Sequence, residues 1–311
     1  MRVFVAGATG MVGSSVIRNT PENHQVITAN RKELDLTNVE QVANFLMNNK
    51  IDSVVLAAAR VGGIYANSHF GFNFLLDNLK IQNSVIEAAH DSGVENFAFL
   101  GSSCIYPKFA EQPLKESSVL SGYLEETNKP YAIAKIAGIE LIKTTASKLG
   151  RNYFSLMPSN LYGPNDNFDL MNSHVPAALM RKLHEAKIEN RLSQEIWGTG
   201  DVRREFLHVD DLASAIWFFL ETGAAAGSMI NIGTGHDLTI KTFASLMAEI
   251  VDYKGELIFN AEKPDGTPRK VLDVNKASTL GWDSTIQLTV GLRDTYAWFV
   301  DAYNRGAIRG F

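Results

Sequence analysis

The sequence predicts an α/β fold in which a doubly wound parallel sheet carries a smaller α/β C-terminal part. Two observations predict it. Short apolar runs alternate with amphipathic stretches through the first half, and the first run ends in a glycine-rich turn that opens a helix. Residues 2–6, 25–28, 53–57, 96–100 and 153–156 read as strands. Residues 12–19, 39–48, 73–90 and 132–148 read as helices, and in the third of these Ile81, Val85, Ile86 and Ala89 recur at helical spacing. Such alternation covers both faces of a parallel sheet with helices. Ligands then bind beyond the carboxyl ends of the strands, where the strand order reverses.

From Leu161 onward the pattern loosens. Gly163-Pro164-Asn165, Gly198-Thr199-Gly200 and Pro264-Asp265-Gly266 mark turns. Helices are expected over 175–186, near 211–220, and over 240–251 and 288–303. There is no internal repeat or low-complexity linker, so the chain is expected to cross between two parts. Residues 1–160 with about 205–235 are assigned to the sheet domain, and about 161–204 with 236–311 to the second domain.

The 311 residues are 45% hydrophobic, enough for a sizeable core. A net charge of −5 without a basic stripe argues against a nucleic-acid partner. The one cysteine, Cys104, cannot form an internal disulfide and suits a reducing compartment. No apolar run is long enough to cross a bilayer, and the first residues read as a strand rather than a leader. A cytoplasmic protein is expected. No spacing of histidines, cysteines or carboxylates suggests a metal site.

Gly7-Ala8-Thr9-Gly10-Met11-Val12-Gly13 joins the first strand to the first helix. Glycines let the backbone approach a pyrophosphate, and the helix start offers free N–H groups and partial positive charge. Gly7, Thr9, Gly10, Met11, Val12 and Gly13 are therefore candidates for a dinucleotide cradle, which makes the sheet Rossmann-type. The second strand runs into Ala29-Asn30-Arg31-Lys32, with no carboxylate before Glu33. An acidic residue there would hold a ribose 2′-hydroxyl, whereas an arginine accommodates a 2′-phosphate. Arg31 is the reason to expect NADP(H), its alternative being a solvated surface arginine. Asp35 and Leu36 are placed near the adenine, and Ala58 beneath the cofactor.

Tyr131-Ala132-Ile133-Ala134-Lys135 puts a phenol and an ammonium four residues apart at a helix start, on one face. A nearby cation is expected to lower the tyrosine pKa, and Tyr131 could protonate a carbonyl oxygen as hydride arrives. Leu100-Gly101-Ser102-Ser103-Cys104 follows the fourth strand on the ligand edge, where Ser102 or Ser103 could bond the same oxygen. Serine, tyrosine and lysine in this order after a glycine turn resemble the extended short-chain dehydrogenase/reductases, and the resemblance spans the chain.

A narrower resemblance rests on longer runs. They are Gly101-Ser102-Ser103-Cys104-Ile105-Tyr106-Pro107-Lys108, Asn128-Lys129-Pro130-Tyr131-Ala132-Ile133-Ala134-Lys135, Pro158-Ser159-Asn160-Leu161-Tyr162-Gly163-Pro164-Asn165, Asn172-Ser173-His174-Val175, Trp197-Gly198-Thr199-Gly200, Arg203-Arg204-Glu205-Phe206-Leu207-His208-Val209-Asp210-Asp211 and Lys263-Pro264-Asp265-Gly266-Thr267-Pro268-Arg269-Lys270. These are similar to the GDP-L-fucose synthase family. Ser159 stands where that family usually has threonine, and 169–171 vary a loop.

The resemblance implies NADPH-dependent inversion at C3 and C5 and reduction at C4 of GDP-4-keto-6-deoxy-D-mannose. It implies Ser102, Tyr131 and Lys135 around the C4 oxygen, with Cys104 and His174 as base and acid. A base sulfur must be thiolate, so its surroundings should favour that form. The alternatives are a small buried hydrophobe for Cys104 and a helix-start residue for His174. Cofactor contacts are carried to Lys135, Asn160, Leu161 and His174, and GDP-sugar contacts to Lys182, Trp197, Arg204 and Asp265. Which of Arg203 and Arg204 faces the diphosphate stays open. The stretch 208–211 is expected to join the domains rather than do chemistry. Relatives pair through the helices that correspond to 73–90 and 132–148, so a homodimer is expected.

Rival readings are another extended nucleotide-sugar epimerase/reductase or dehydratase, and a non-catalytic NADP-sensing module. A dehydratase would want Asp-Glu where this chain has Ser103-Cys104. A 4-epimerase would want an acidic end to the second strand. A sensor would be expected to have lost Tyr131 or Lys135.

Overall fold

Alternate residues of the central strands face opposite ways, and this divides the core into two layers. In the computed structural model, which describes residues 1–170, 172–263 and 265–310, Phe4, Val54, Phe97 and Tyr153 enter one apolar cluster. Their neighbours Val3, Val55, Ala98 and Phe154 enter another on the far face. The elements in chain order are β1 (Arg2–Ala6), α1 (Met11–Arg18), β2 (Gln25–Ile27), α2 (Val39–Asn48), β3 (Ser53–Leu56), α3 (Ile64–His69), α4 (Gly71–Asp91), β4 (Asn96–Leu100), α5 (Lys129–Leu149), β5 (Asn152–Pro158), β6 (Asn160–Tyr162), α6 (Val175–Ile188), β7 (Ser193–Trp197), β8 (Arg203–His208), α7 (Val209–Thr222), β9 (Met229–Ile232), β10 (Asp237–Thr239), α8 (Ile240–Val251), β11 (Glu256–Asn260), β12 (Arg269–Lys270), α9 (Asn275–Thr279) and α10 (Leu288–Asn304).

Six strands form a parallel sheet in the order β2-β1-β3-β4-β5-β9. The order reverses between β1 and β3, so a crevice opens at their carboxyl ends. Helices α2, α4 and α5 supply Val42, Leu46, Val85, Ile86, Ile139 and Ile142 to one face. Helices α1 and α7 supply Val16, Leu212, Ile216 and Phe219 to the other.

The predicted strands and helices are present, with ends shifted. Helix α5 begins at Lys129 rather than 132, because Pro130 fits a first helical turn whose N–H groups need no intrahelical partner. It stops at Gly150, whose φ of 66° takes the left-handed form that ends helices. Strand β9, the sixth of the sheet, was not read from the sequence, nor were β7, β8, β10, β11 and β12.

Beyond β5 the chain leaves the sheet at Ser159. Strand β8 pairs with β6, β10 and β12. Helices α6, α8 and α10 cover a third core around Phe168, Leu183, Phe243 and Phe299. Glu205 of β8, fully buried, ties the parts together. Its carboxylate accepts from the Thr234 and Gly235 N–H groups beyond β9 and from the Leu272 N–H beyond β12, at 2.5, 2.8 and 2.8 Å. The stretch 208–211 likewise joins elements. Asp210 accepts from Ser15 and Arg18 of α1, and Asp211 from Thr285 and Ile286. The turn assigned to 264–266 includes Pro264, and the loop variation at 169–171 includes Met171, both outside the described residues.

Candidate active site

Gly7 has φ 93°, and a Cβ there would lie 2.7 Å from the Ala58 nitrogen, so β1 and the chain after β3 touch backbone to backbone. A Cβ on Gly13 would lie 2.2 Å from the Gly7 carbonyl. The Gly10 N–H donates to that carbonyl at 3.0 Å, closing the turn. Gly10 then caps α1 without a side chain, which leaves the amides of the first turn available to an anion. Thr9, Met11 and Val12 frame this opening. The sequence placed the cradle here, and Gly7, Gly10 and Gly13 form a tight strand-to-helix turn at this position.

Arg31 is exposed in the turn after β2. The only nearby acidic side chain in that turn, Glu33, folds back to accept from the Asn30 N–H at 2.9 Å. Asp35 accepts from the Thr37 N–H and hydroxyl at 2.9 and 2.8 Å, which lowers its carboxyl below the usual range. Both carboxylates are thus turned to local backbone, and Leu36 is half-buried behind them. Asn160 of β6 donates to the Glu205 carbonyl at 2.8 Å and so fixes the strand that carries Leu161.

Past β4, a single tight turn at Ser103–Ile105 sets three side chains in order. The Ser102 hydroxyl oxygen accepts the Cys104 N–H at 3.2 Å. Ser103 is buried, whereas the Ser102 hydroxyl acts to lower the Tyr131 phenol. Ser103 lines the small cavity that also holds Cys104 and Lys270. Tyr131 is buried in the first turn of α5, edge-on to Phe74, with Cys104 packed against both.

The expected effect of lysine on tyrosine is not what the structure has. Burial raises the Tyr131 phenol, the charge of Cys104 raises it further, and the Ser102 bond only partly offsets them. Lys135 aims its ammonium at the Leu100 carbonyl, 2.7 Å away, rather than at the phenol. Its Nζ lies 4.8 Å from the Phe99 ring centre and 5.8 Å from that of Tyr131. Buried at 3% exposure, Lys135 is pulled down to about 8 by desolvation. The phenol is held protonated, the form that can give a proton to an oxyanion.

His174 stands at the N-cap position of α6, but its side chain makes no cap bond. The loop before it is held by Asp169, which accepts the Asn172 N–H at 2.7 Å, and by the Gly63 N–H, which donates to the Asn172 carbonyl at 3.0 Å. A Cβ on Gly63 would meet the Ser173 carbonyl at 2.8 Å, so glycine is needed for that contact. His174 is exposed, and desolvation, then the Lys270 charge, pushes its imidazole below the ordinary value. Lys270 also places Nζ 3.8 Å from the Cys104 sulfur. Neither Gly63 nor Lys270 was given a role in the sequence reading. Gly62-Gly63 after β3 was the available signal for the first, whereas a lysine on a two-residue strand gives none.

In the second part of the chain, Arg203 bonds Asp237 through Nε and Nη2 at 3.2 and 3.1 Å. Burial would raise Asp237, but bonds from Arg269 and Arg203 prevail and bring it to about 2. Arg204 instead donates to two carbonyls, of Arg203 and Asp265, at 2.8 and 3.3 Å. Desolvation lowers its guanidinium from the ordinary value, with Asp265 opposing. Of the two arginines, Arg203 is thus bonded to a carboxylate and Arg204 to carbonyls. Trp197 is 41% exposed, with the Lys182 and Lys263 ammonium groups 4.9 and 5.4 Å from ring centres of its indole. Both oxygens of Asp265 accept from Thr199, one from its N–H and one from its hydroxyl, each at 2.8 Å, which holds the Gly198–Gly200 turn.

Among the described residues, no group of three His, Cys, Asp or Glu could hold a metal ion, and no helix is long and apolar enough to cross a membrane.

Comparison with known proteins agrees with this geometry. The model of the NAD dependent epimerase/dehydratase family matches residues 3–233. The GDP-L-fucose synthase of Escherichia coli (strain K12) is 48% identical over 316 residues, covering 98% of each chain. A GDP-6-OMe-4-keto-L-xylo-heptose reductase from C. jejuni superposes with a TM-score of 0.90 at 34% identity, over 96% of this chain and 97% of that one. A GDP-mannoheptose C4 reductase from Campylobacter jejuni with NADP bound gives 0.87 at 35%, over 96% and 98%.

Proposed function

The chain belongs to the NAD dependent epimerase/dehydratase family, and from that premise we propose that it converts GDP-4-keto-6-deoxy-D-mannose to GDP-L-fucose with NADPH. The observation that carries the reading is a buried phenol packed with a cysteine sulfur beyond β4, at the same carboxyl edge of the parallel sheet as the glycine turn beyond β1.

The cradle at Gly7, Gly10 and Gly13 and the exposed Arg31 fit NADP(H): the glycines let the turn close tightly onto Ala58 and its own carbonyl below the free amides of α1, and Arg31 suits a 2′-phosphate. When bound, the cofactor supplies hydride to C4. The residues of the chain do the rest. At C3 and at C5 alike, Cys104 takes the carbon-bound proton, leaving an enolate, and His174 returns a proton on the opposite face. Ser102 and Tyr131 hold the C4 oxygen, which carries charge in each enolate and again during reduction, so one donor pair serves every step. Tyr131, kept protonated by burial, gives its proton to that oxygen in the last step. Lys135 and Asn160 orient the cofactor side. Lys182 and Arg204 neutralise the diphosphate, and Arg204 can do so with a two-pronged fork. Trp197 walls the nucleotide, and Asp265 contributes through the turn that it shapes.

The domain division proposed is 1–160 with about 205–235 for the cofactor, and about 161–204 with 236–311 for the sugar nucleotide. The exposed apolar side chains Phe72 of α4 and Ile133 and Leu141 of α5, at 75%, 43% and 39% exposure, support a homodimer through these two helices. A lone thiol used as a base must stay reduced, which supports a cytoplasmic location.

Incubation with GDP-4-keto-6-deoxy-D-mannose and NADPH tests the function. Absorbance of NADPH should fall while GDP-L-fucose forms. Reduction to a product that keeps the starting configuration at C3 and C5 would refute the epimerase half.

A further inference from the structure

We propose that Lys270 is a positioning residue for the epimerisation, whose ammonium pairs with the Cys104 sulfur and favours its thiolate. This rests on Cys104 being the base of the function proposed above. Lys270 Nζ lies 3.8 Å from the sulfur, within reach of an N–H···S bond. The two line one small cavity together with Gln112 and Glu125. Among the described residues no carboxylate pairs with Lys270, in contrast to its neighbour Arg269, which bonds Asp237 at 2.6 Å.

The backbone around Lys270 is pinned on every side. It pairs in register with Arg204 of β8. The next N–H groups are held by Gln112 Oε1 and Glu205 Oε2 at 3.0 and 2.8 Å. The Val271 carbonyl accepts the Leu114 N–H at 2.8 Å. A flexible lysine stem is thus anchored at a fixed root, with its charge 3.8 Å from the sulfur.

The other charged or titratable groups around the sulfur do not substitute for it. Tyr131 of α5 is held as neutral phenol by burial, and Lys135 is turned to the Leu100 carbonyl. Glu125, on the cavity wall, accepts from the Thr127 hydroxyl and Asn128 N–H. His174 feels the same Lys270 charge, which opposes a proton on the imidazole. Lys108 lines the same cavity, with its Nζ over the Phe109 ring.

In the step itself, the thiolate takes the carbon-bound proton and becomes thiol. The C–H electron pair passes into the enolate. His174 delivers a proton to the same carbon from the other face, and both groups reset by exchange with solvent. Lys270 changes no bond; it stabilises the sulfur charge present before the transfer.

The single cysteine makes the test clean, since alkylation by iodoacetamide reports only Cys104. The experiment measures the alkylation rate against pH, together with solvent-deuterium incorporation into GDP-4-keto-6-deoxy-D-mannose. In Lys270→Met both rates near neutral pH should fall about tenfold, the effect of removing a close opposite charge. The alkylation profile should move to higher pH, KM should change little, and NADPH affinity should be kept. Lys270→Arg should restore most of both rates, and Lys270→Gln serves if the Met variant does not fold. Alkylation profiles that superpose, with normal wild-type turnover, would overturn the Lys270 assignment alone. Absence of deuterium incorporation by the wild-type enzyme would sink the proposed function and this role with it, whatever the alkylation shows.

Discussion

Lys135 and Arg204 show how burial turns common charged residues into tuned ones. Lys135 titrates at about 8 because its ammonium is desolvated with only a carbonyl and an aromatic face as partners. The sign follows: the group is charged below that value and loses its proton as pH rises through it, well before an exposed lysine would. The rate of NADPH-dependent reduction should therefore fall on the alkaline side of about pH 8, and Lys135→Arg should move that limb upward. A pH–rate profile with no alkaline limb near this value would count against the assignment. For the arginine pair, Arg204→Ala should raise KM for the GDP-sugar by about tenfold or more with a smaller change in kcat. Arg203→Ala should instead lower the melting temperature, because it leaves Asp237 with Arg269 alone. Steady-state kinetics beside thermal melts would separate the two.

Helix α5 owes its position to one missing side chain. A Cβ on Gly138 would stand 2.4 Å from the Phe99 ring of β4, so the helix lies closer to the sheet than any other residue would permit. Lys135, one turn earlier, reaches the Leu100 carbonyl only from that distance. Gly138→Ala should cost about 1–3 kcal/mol through overpacking. It should also slow reduction, because the displaced helix carries Tyr131 and Lys135 with it. Urea melts and initial rates on the same sample would check both, and an unchanged rate would show that the helix need not sit this close.

The assembly of the whole molecule turns on junctions and on one outer face. Glu205 of β8 gathers the chain beyond β9 and beyond β12 around a buried carboxylate, so β8 and β12 are fixed relative to the parallel sheet. On the outside, Leu141 and Ile133 of α5 and Phe72 of α4 leave apolar area in water. A homodimer through this face predicts that Leu141→Glu shifts the protein toward monomer, as seen by light scattering on a sizing column. The glycine cradle lies elsewhere on the chain, so NADPH binding should survive the change. An unaltered mass would remove this face from the contact.

Much of this was legible in sequence order, because its physics is local. The glycine turn, the strand–helix alternation and the Tyr131–Lys135 spacing each depend on residues a few positions apart, and the sheet with its cradle follows from them. The resemblance carried over the site residues, but not their states. That Arg203 pairs with Asp237 and that Asp265 accepts from Thr199 could be read only when distant segments met. The same holds for the raised phenol of Tyr131 and for Lys270 against Cys104, 166 positions apart in the chain. Desolvation and charge pairing act through space, and their partners are chosen by the tertiary fold.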